Sequence, residues 1–254
     1  MTEATPAGAG QQPLRALLVG LTFITGMVDA VTYIGLGHVF AANMTGNIVL
    51  LGFALVGADQ VSVGASLLSL VAFLVGAALG GRLVGRLKPN RDRWLMSSLT
   101  IEAGLLAAAA LWVLLGAGLG TLPVVGLLAL AMGLRNATVR ETGIPELTTT
   151  VLTRTLADFA VFLPARNGWS GAQARRLAGV FALLLGAAAG ALLLDTGGLT
   201  LAIGATLGLL VLESAAYILT VPRTRSAPPI TGGHLACAGW QPSSLGFWRS
   251  CGPG

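Results

Sequence analysis

Apolar residues dominate long stretches of this chain, and several stretches are long enough to cross a lipid bilayer. A helix that rises about 1.5 Å per residue needs roughly 20 apolar residues to cross about 30 Å of hydrocarbon. The pattern predicts six transmembrane helices, at residues 14–37, 62–83, 94–115, 122–140, 177–194 and 199–221.

Two further segments, 43–56 and 147–163, are partly apolar but short and rich in Thr, Asn, Arg and Asp. If both crossed the bilayer, the basic loop at 82–93 would face the opposite side from the basic residues at 166–176 and 223–225. If both enter and return on one side, all these loops lie in the cytoplasm with both termini, as the positive-inside rule requires. We therefore expect two re-entrant segments and a multi-pass protein of the inner (plasma) membrane.

The chain divides by composition into three parts. Residues 1–13 are predicted to be a flexible leader and 14–221 the transmembrane domain, with halves at about 14–116 and 121–221. Residues 222–254 mix Pro, Gly and Ser without a helical period, which predicts a disordered cytoplasmic tail.

The two halves show weak self-similarity. The sequence GMVDA at 26–30 corresponds to GLRNA at 133–137, and VGAALG at 75–80 corresponds to LGAAAG at 185–190. Three spans in each half would turn the second half upside down. The expected fold is an all-α membrane bundle with an inverted 3+3 repeat, a plan that places binding sites where broken helices meet near the midplane.

Composition agrees with a membrane protein. Apolar residues make up 54% of the chain and charged residues only 10%, whereas a soluble domain is about 25% charged. The net charge of +5 comes from basic residues at the ends of apolar segments, where the positive-inside rule places them. The expected partner is a lipid bilayer, and nucleic acid is not expected.

Asp29 lies inside the first predicted span, where a charged carboxylate costs about 3 kcal/mol. It is a candidate cation or proton site, or else a structural partner for Arg135, Arg140 or a helix end.

A compact polar turn follows that span. Asn43, Thr45, Gly46 and Asn47 could supply amides and carbonyls to a binding site, because irregular backbone inside a membrane must be buried or line a watery cavity. The alternative is a tight turn between two spans.

The second half carries a further candidate site, for an anion, formed by Asn136, Arg140, Thr153 and Arg154. The alternative for Arg140 is a position at the cytoplasmic interface beside Glu141, with its guanidinium reaching water.

Glycines at i and i+4 allow helix backbones to approach closely. Such pairs occur at Gly76 and Gly80 and at Gly186 and Gly190. We expect them to pack helices within the chain or between the subunits of a homo-oligomer.

No enzyme motif of the HExxH, GxSxG or CxxC type is present, so we expect no catalysis, no cofactor and no metal. His234 and Cys237 lack the spacing of a four-ligand zinc site.

Residues 26–33 (GMVDAVTY) and 39–47 (VFAANMTGN), with GLRNA at 133–137 and a Thr-rich stretch from Thr148, resemble the YoaK-like family of uncharacterised bacterial membrane proteins, which bear a domain of unknown function. The resemblance covers about 15–220. It implies a multispanning inner-membrane protein and supplies no substrate. The chain departs from the expected second Thr-Gly-Thr-like element, with TRT at 153–155.

Together these features favour a permease for a small solute, working by alternating access with an intramembrane Asp. The alternative is a membrane sensor or structural protein that moves nothing across. An intramembrane enzyme is a third interpretation, which the missing motifs disfavour.

Overall fold

The computed structural model describes residues 12–57, 62–88, 90–116, 120–142 and 171–220. These ranges contain helices and no strand, which confirms the predicted all-α membrane bundle. The predicted segment at 147–163, the tail at 222–254 and most of the leader lie outside the described residues. The helices are α1 (Gln12–Gly35), α2 (Met44–Leu55), α3 (Val63–Leu87), α4 (Arg91–Leu115), α5 (Leu122–Glu141) and α6 (Gly171–Thr220).

Five of these helices are long and apolar enough to cross a membrane. The exception is α2, whose 12 residues extend only about 18 Å at the usual helical rise. The side chains of Ser62 and Asn90 cap α3 and α4, each accepting a backbone N–H at 3.2 Å. Such caps stabilise a helix start, so both helices begin at polar residues outside the apolar run.

Helix α6 is bent at Gly198, where φ is 67°. Its apolar part, Arg176–Thr220, has 45 residues, which as a straight helix would extend about 68 Å, more than twice the hydrocarbon thickness. Leu194 and Leu199, on either side of the bend, both lie beside Gly35 at the end of α1, whereas Glu213 lies beside Gly20. The two arms of α6 therefore pack along α1 in opposite directions.

Contacts between the other helices fix their directions. Gly76 lies against Leu130 and Gly80 against Leu134, so α3 and α5 are parallel. Helix α4 is antiparallel to α5, because Ser98 contacts Thr138 while Glu102 contacts Arg135.

Helix α1 is antiparallel to α5. Arg135 donates to the carbonyl oxygen of Leu21, whereas Val28, further along α1, shares a small internal cavity with Leu128, an earlier residue of α5. The end of α1 and the start of α3 are consequently at the same end of the bundle. The segment between them, which contains α2, starts and finishes there.

The opposite end of the bundle is basic. It holds the start of α1, the end of α3, the start of α4, the end of α5 and the beginning and end of α6. With the exception of buried Arg135, the basic residues of the described helices lie at this end: Arg15, Arg82, Arg86, Lys88, Arg91, Arg93, Arg140, Arg175 and Arg176.

The outer surface is apolar over most of the helix lengths. Leu74, Leu111, Leu192 and Leu212 are each more than half exposed. Soluble monomers rarely expose contiguous apolar surface on this scale. The surface is suited to contact with lipid chains, and the polar groups are directed inward.

Glycines bring the backbones of α1 and α6 into direct contact. A Cβ at Gly26 would overlap the carbonyl oxygen of Leu183, and a Cβ at Gly186 would overlap that of Phe23. Gly190 lies against Met27 in the same way. We call this crossing the α1–α6 seam.

Helices α3 and α5 form an equivalent contact, the α3–α5 seam. A Cβ at Gly133 would overlap the carbonyl oxygen of Phe73, and one at Gly76 would overlap that of Leu130. Gly133 and Leu130 correspond to Gly26 and Phe23 of the α1–α6 seam at an offset of 107 residues. Phe73 and Gly76 correspond to Leu183 and Gly186 at an offset of 110. The same contacts thus occur twice.

The seams predict which glycines tolerate a methyl group. Gly186→Ala should lower the free energy of unfolding by about 1–3 kcal/mol, because the new Cβ overlaps backbone that cannot rotate away. Gly204→Ala is the matched control, since nothing lies within 4 Å of its Cβ position and alanine is the better helix former. Unfolding in bicelles measures both, and equal stability of the two variants would contradict the seam.

Candidate functional site

A polar cavity of about 680 Å³ lies beside the N-terminus of α2, within the range of about 300–1,000 Å³ typical of small-molecule sites. Its walls come from α1, the loop after it, α2, α3 and α5. The lining residues are Tyr33, Phe40, Ala42, Asn43, Met44, Thr45, Gly46, Val49, Leu50, Phe73, Asn136 and Arg140.

The loop between α1 and α2 forms one wall. It turns at Gly37 and His38, whose φ angles are 103° and 57°. Positive φ is easy for Gly and uncommon for other residues. The ring of Tyr33 stacks on Phe40 at a centroid distance of 4.8 Å and meets His38 edge-on at 5.3 Å, so three rings hold the turn.

Asp29 anchors this loop from inside α1. Its Oδ1 accepts the backbone N–H groups of Ala41 at 3.0 Å and Ala42 at 2.7 Å. Hydrogen bonds to an ionised acceptor are about twice as strong as neutral ones. Asp29 therefore contacts the chain just before the polar turn rather than the cavity, and its partner is this backbone rather than Arg135 or Arg140.

Asn47 is fully buried and holds Phe40 by both backbone groups. Its Oδ1 accepts the N–H of Phe40 at 2.8 Å, and its Nδ2 donates to the carbonyl oxygen of Phe40 at 2.7 Å. Ser69 of α3 donates to the same carbonyl at 2.6 Å. Asn47 thus fixes α2 against the loop and against α3.

The N-terminus of α2 opens on the cavity. Asn43 caps it, with Oδ1 accepting the N–H of Gly46 at 3.2 Å. A Cβ at Gly46 would come within 3.0 Å of the Phe40 ring, so this glycine lets the ring close over the turn. The positive end of a helix dipole and its free N–H groups favour anions.

Asn136 and Arg140 approach the cavity from α5, one turn apart. Among the described residues that line the cavity, Arg140 is the one that carries a charge. Its neighbour Glu141 pairs instead with Lys88 of α3, at 2.9 Å. Within the described ranges, no ion pair holds the guanidinium of Arg140, which lines the cavity.

The structure brings together five predicted site residues: Asn43, Thr45, Gly46, Asn136 and Arg140. Asp29 and Asn47 support the cavity wall without lining the cavity. Thr153 and Arg154 lie outside the described residues.

The aromatic part of the lining, formed by Tyr33, Phe40 and Phe73, was not predicted from the sequence. Nor was Ser69, which bonds to the backbone of Phe40. Tyr33 and Phe40 belong to the stretches that carry the family resemblance, which was an available signal. Ser69 and Phe73 look like any other residue of an apolar helix.

Over the described ranges, no three His, Cys, Asp or Glu side chains are grouped in a way that could hold a metal ion.

A family model with the description "Protein of unknown function (DUF1275)" matches residues 17–214. The chain belongs to this family. It is also similar to the UPF0700 transmembrane protein YoaK of Bacillus subtilis (strain 168), at 38% identity over 146 residues. The alignment covers 56% of this chain and 64% of that relative's length. No solved structure matches the chain.

These comparisons confirm the YoaK-like family that the motifs indicated. With the apolar helices, they establish a multispanning membrane protein. Neither the family description nor the name of the relative assigns an activity.

The Asp29 contacts predict a graded response to substitution. Asp29→Asn keeps an oxygen that can accept both N–H groups and should lower the free energy of unfolding by no more than about 1 kcal/mol, whereas Asp29→Leu leaves both groups unpaired and should lower it by about 2–3 kcal/mol or more. Thermal unfolding measures the stability of each variant. Alkylation of a cysteine placed at Ala42 measures how far the loop detaches from α1. Equal destabilisation by both variants would show that the charge rather than the acceptor is required.

Proposed function

We propose that this protein is a permease for a small organic anion that binds in the cavity beside α2 and crosses the membrane by alternating access. The observation that carries the proposal is the cavity itself. Polar groups are gathered in its lining, and both halves of the chain contribute to that lining.

The lining suggests the class of solute. Arg140 supplies a positive charge, the N-terminus of α2 supplies a second positive region, and the amides of Asn43 and Asn136 supply donors and acceptors. A guanidinium is well shaped for a carboxylate or phosphate. The aromatic wall of Tyr33, Phe40 and Phe73 fits a short apolar portion of the same solute.

The proposed topology places the basic end of the bundle in the cytoplasm, as the positive-inside rule indicates. With α6 counted as two arms, the described helices cross six times, and the proposal places both termini in the cytoplasm. The segment with α2 is then re-entrant from the outer side, because it starts and finishes at the non-basic end.

The proposed mechanism uses the two seams. The contacts of the α1–α6 pair recur in the α3–α5 pair at fixed sequence offsets, which supports an inverted repeat. The two similar units are then these two helix pairs. In transporters of this plan, one unit rocks against the other around a fixed site. A cavity lined from both units is suitably placed for that motion.

The topology can be tested by cysteine labelling. A cysteine at Gly197, beside the bend of α6, should react with an impermeant thiol reagent added outside cells, because it lies at the non-basic end. A cysteine at Asn90, between α3 and α4, should react only after the membrane is opened. The reverse pattern would invert the proposed orientation.

Transport can be tested in proteoliposomes with a panel of radiolabelled carboxylates and phosphate esters. We expect saturable uptake of at least one compound, and at least a tenfold loss of uptake in Arg140→Ala because the charge contact is removed. Arg86→Ala is the matched control, since it removes an exposed arginine at the same end and outside the lining. Equal loss in both variants would show that charge at the membrane surface, not the cavity, is responsible.

The same panel separates a permease from a sensor. A solute that raises the melting temperature of the purified protein, but is not taken up, would favour a protein that binds without transporting. Binding should still depend on Arg140 in that case.

A further inference from the structure

A buried ion pair lies inside the bundle, and neither of its residues is among those that line the cavity. Glu102 of α4 and Arg135 of α5 meet through Oε1 and Nη2, with side chains only 1% and 6% exposed. The Nη1 of Arg135 also donates to the carbonyl oxygen of Leu21 at 2.8 Å and to Oγ1 of Thr25 at 3.0 Å. The guanidinium thus ties α5 to α4 and to α1.

Two polar atoms of this pair have no hydrogen-bond partner among the described residues: Oε2 of Glu102 and Nε of Arg135. Both are buried, and leaving a buried polar atom unpaired is unfavourable. The pair therefore has one acceptor and one donor available for a further group.

Glu213 reaches the same region from the second arm of α6. Its carboxyl group occupies the space where Gly20 of α1 lacks a side chain. It interacts electrostatically with Arg135 and with Glu102. Within the described part of the chain, no hydrogen bond or ion pair fixes this carboxyl group.

The other charged groups near Glu213 lie closer to the basic end. Arg91 and Asp92 of α4 act on Tyr217, one turn beyond Glu213. Arg15 of α1 lies further along that helix and has interactions of its own. The charges that act on Glu213 from inside the bundle are therefore those of Arg135 and Glu102.

These three residues carry two carboxyl groups and one guanidinium. A second, uncompensated carboxylate would be expensive in a medium of low dielectric constant, and two carboxylates that share one site rarely both ionise. Glu102 has the direct contact with Arg135. Glu213, which is partly exposed and two turns from the end of α6, has the shorter route to water.

We propose that Glu102, Arg135 and Glu213 form a proton-binding site, in which the guanidinium holds Glu102 ionised and Glu213 takes up and releases the proton. When Glu213 loses its proton, its carboxylate competes with Glu102 for Arg135. Protonation thus changes whether α5 is tied more strongly to α4 or to α6. This site is separate from the cavity, and it does not depend on any solute being transported.

The first test is an infrared pH titration of the purified protein in nanodiscs without solute. Wild-type protein should show the carbonyl band of a protonated carboxyl group that is lost as the pH rises. Glu213→Gln should lose one component of this band, and Asp195→Asn, which alters an exposed carboxylate at the bend of α6, should retain that component. A band that is unchanged in Glu213→Gln, or no titrating band in wild type, would overturn the proposal.

The second test needs no variant and therefore does not depend on how Glu213→Gln folds. Dicyclohexylcarbodiimide is apolar and adds to protonated carboxyl groups, and mass spectrometry locates the adduct. We expect an adduct on Glu213 that decreases at least tenfold between acid and alkaline pH. An adduct on Glu102 alone, or none on either residue, would contradict the assignment. Failure of the uptake assay would leave both results unaffected.

Discussion

Hydrocarbon offers no hydrogen-bond partner, and this constraint explains how many of the buried polar side chains in the described helices are placed. Buried threonines such as Thr22, Thr25 and Thr206 donate to the carbonyl oxygen four residues earlier in their own helix. Asn47 pairs with the backbone of Phe40, and Asp29 with two consecutive N–H groups. Buried polar residues therefore bond either to their own helix or to a neighbouring element, while leucines such as Leu74 and Leu212 lie on the outer surface.

The glycine seams pack the helices beside the cavity into two close pairs. Backbone contact at Gly26 and Gly186 joins α1 to α6, and contact at Gly76 and Gly133 joins α3 to α5. The cavity lies beside these pairs and is closed by a short helix and a loop. Asp29 on α1 and Ser69 on α3 hold the loop by hydrogen bonds, and Asn47 joins α2 to the loop and to Ser69. One wall of the cavity is thus a loop and a short helix attached to two closely packed helix pairs.

Apolar length and charge position predicted much of the fold. The spans at 177–194 and 199–221 correspond to the two arms of α6, because Gly198 interrupts an apolar run that is too long for one crossing. The five cavity residues were predicted as two separate groups, since a local pattern cannot show that residues 43–46 and 136–140 meet. Asp29 stood out as a carboxylate in an apolar run, but that signal is the same for an ion site and for a loop anchor. The pairing of Arg135 with Glu102 was missed for a related reason: 33 positions separate the partners, and only the antiparallel packing of α4 and α5 brings them together.

The bend at Gly198 also bears on how the chain enters the membrane. The turn between the two arms of α6 is made within the helix itself, around Asp195, Thr196 and two glycines. Asp195 and Thr196 are exposed at this turn, and Thr196 bonds back to the carbonyl oxygen of Leu192, so the exposed polar stretch is only a few residues long. A helical hairpin with so little hydrophilic chain at its tip can enter the bilayer as one unit, driven by the burial of both arms. In the proposed orientation, with the basic end in the cytoplasm, the two arms of α6 can insert without the export of a large extracytoplasmic loop between them.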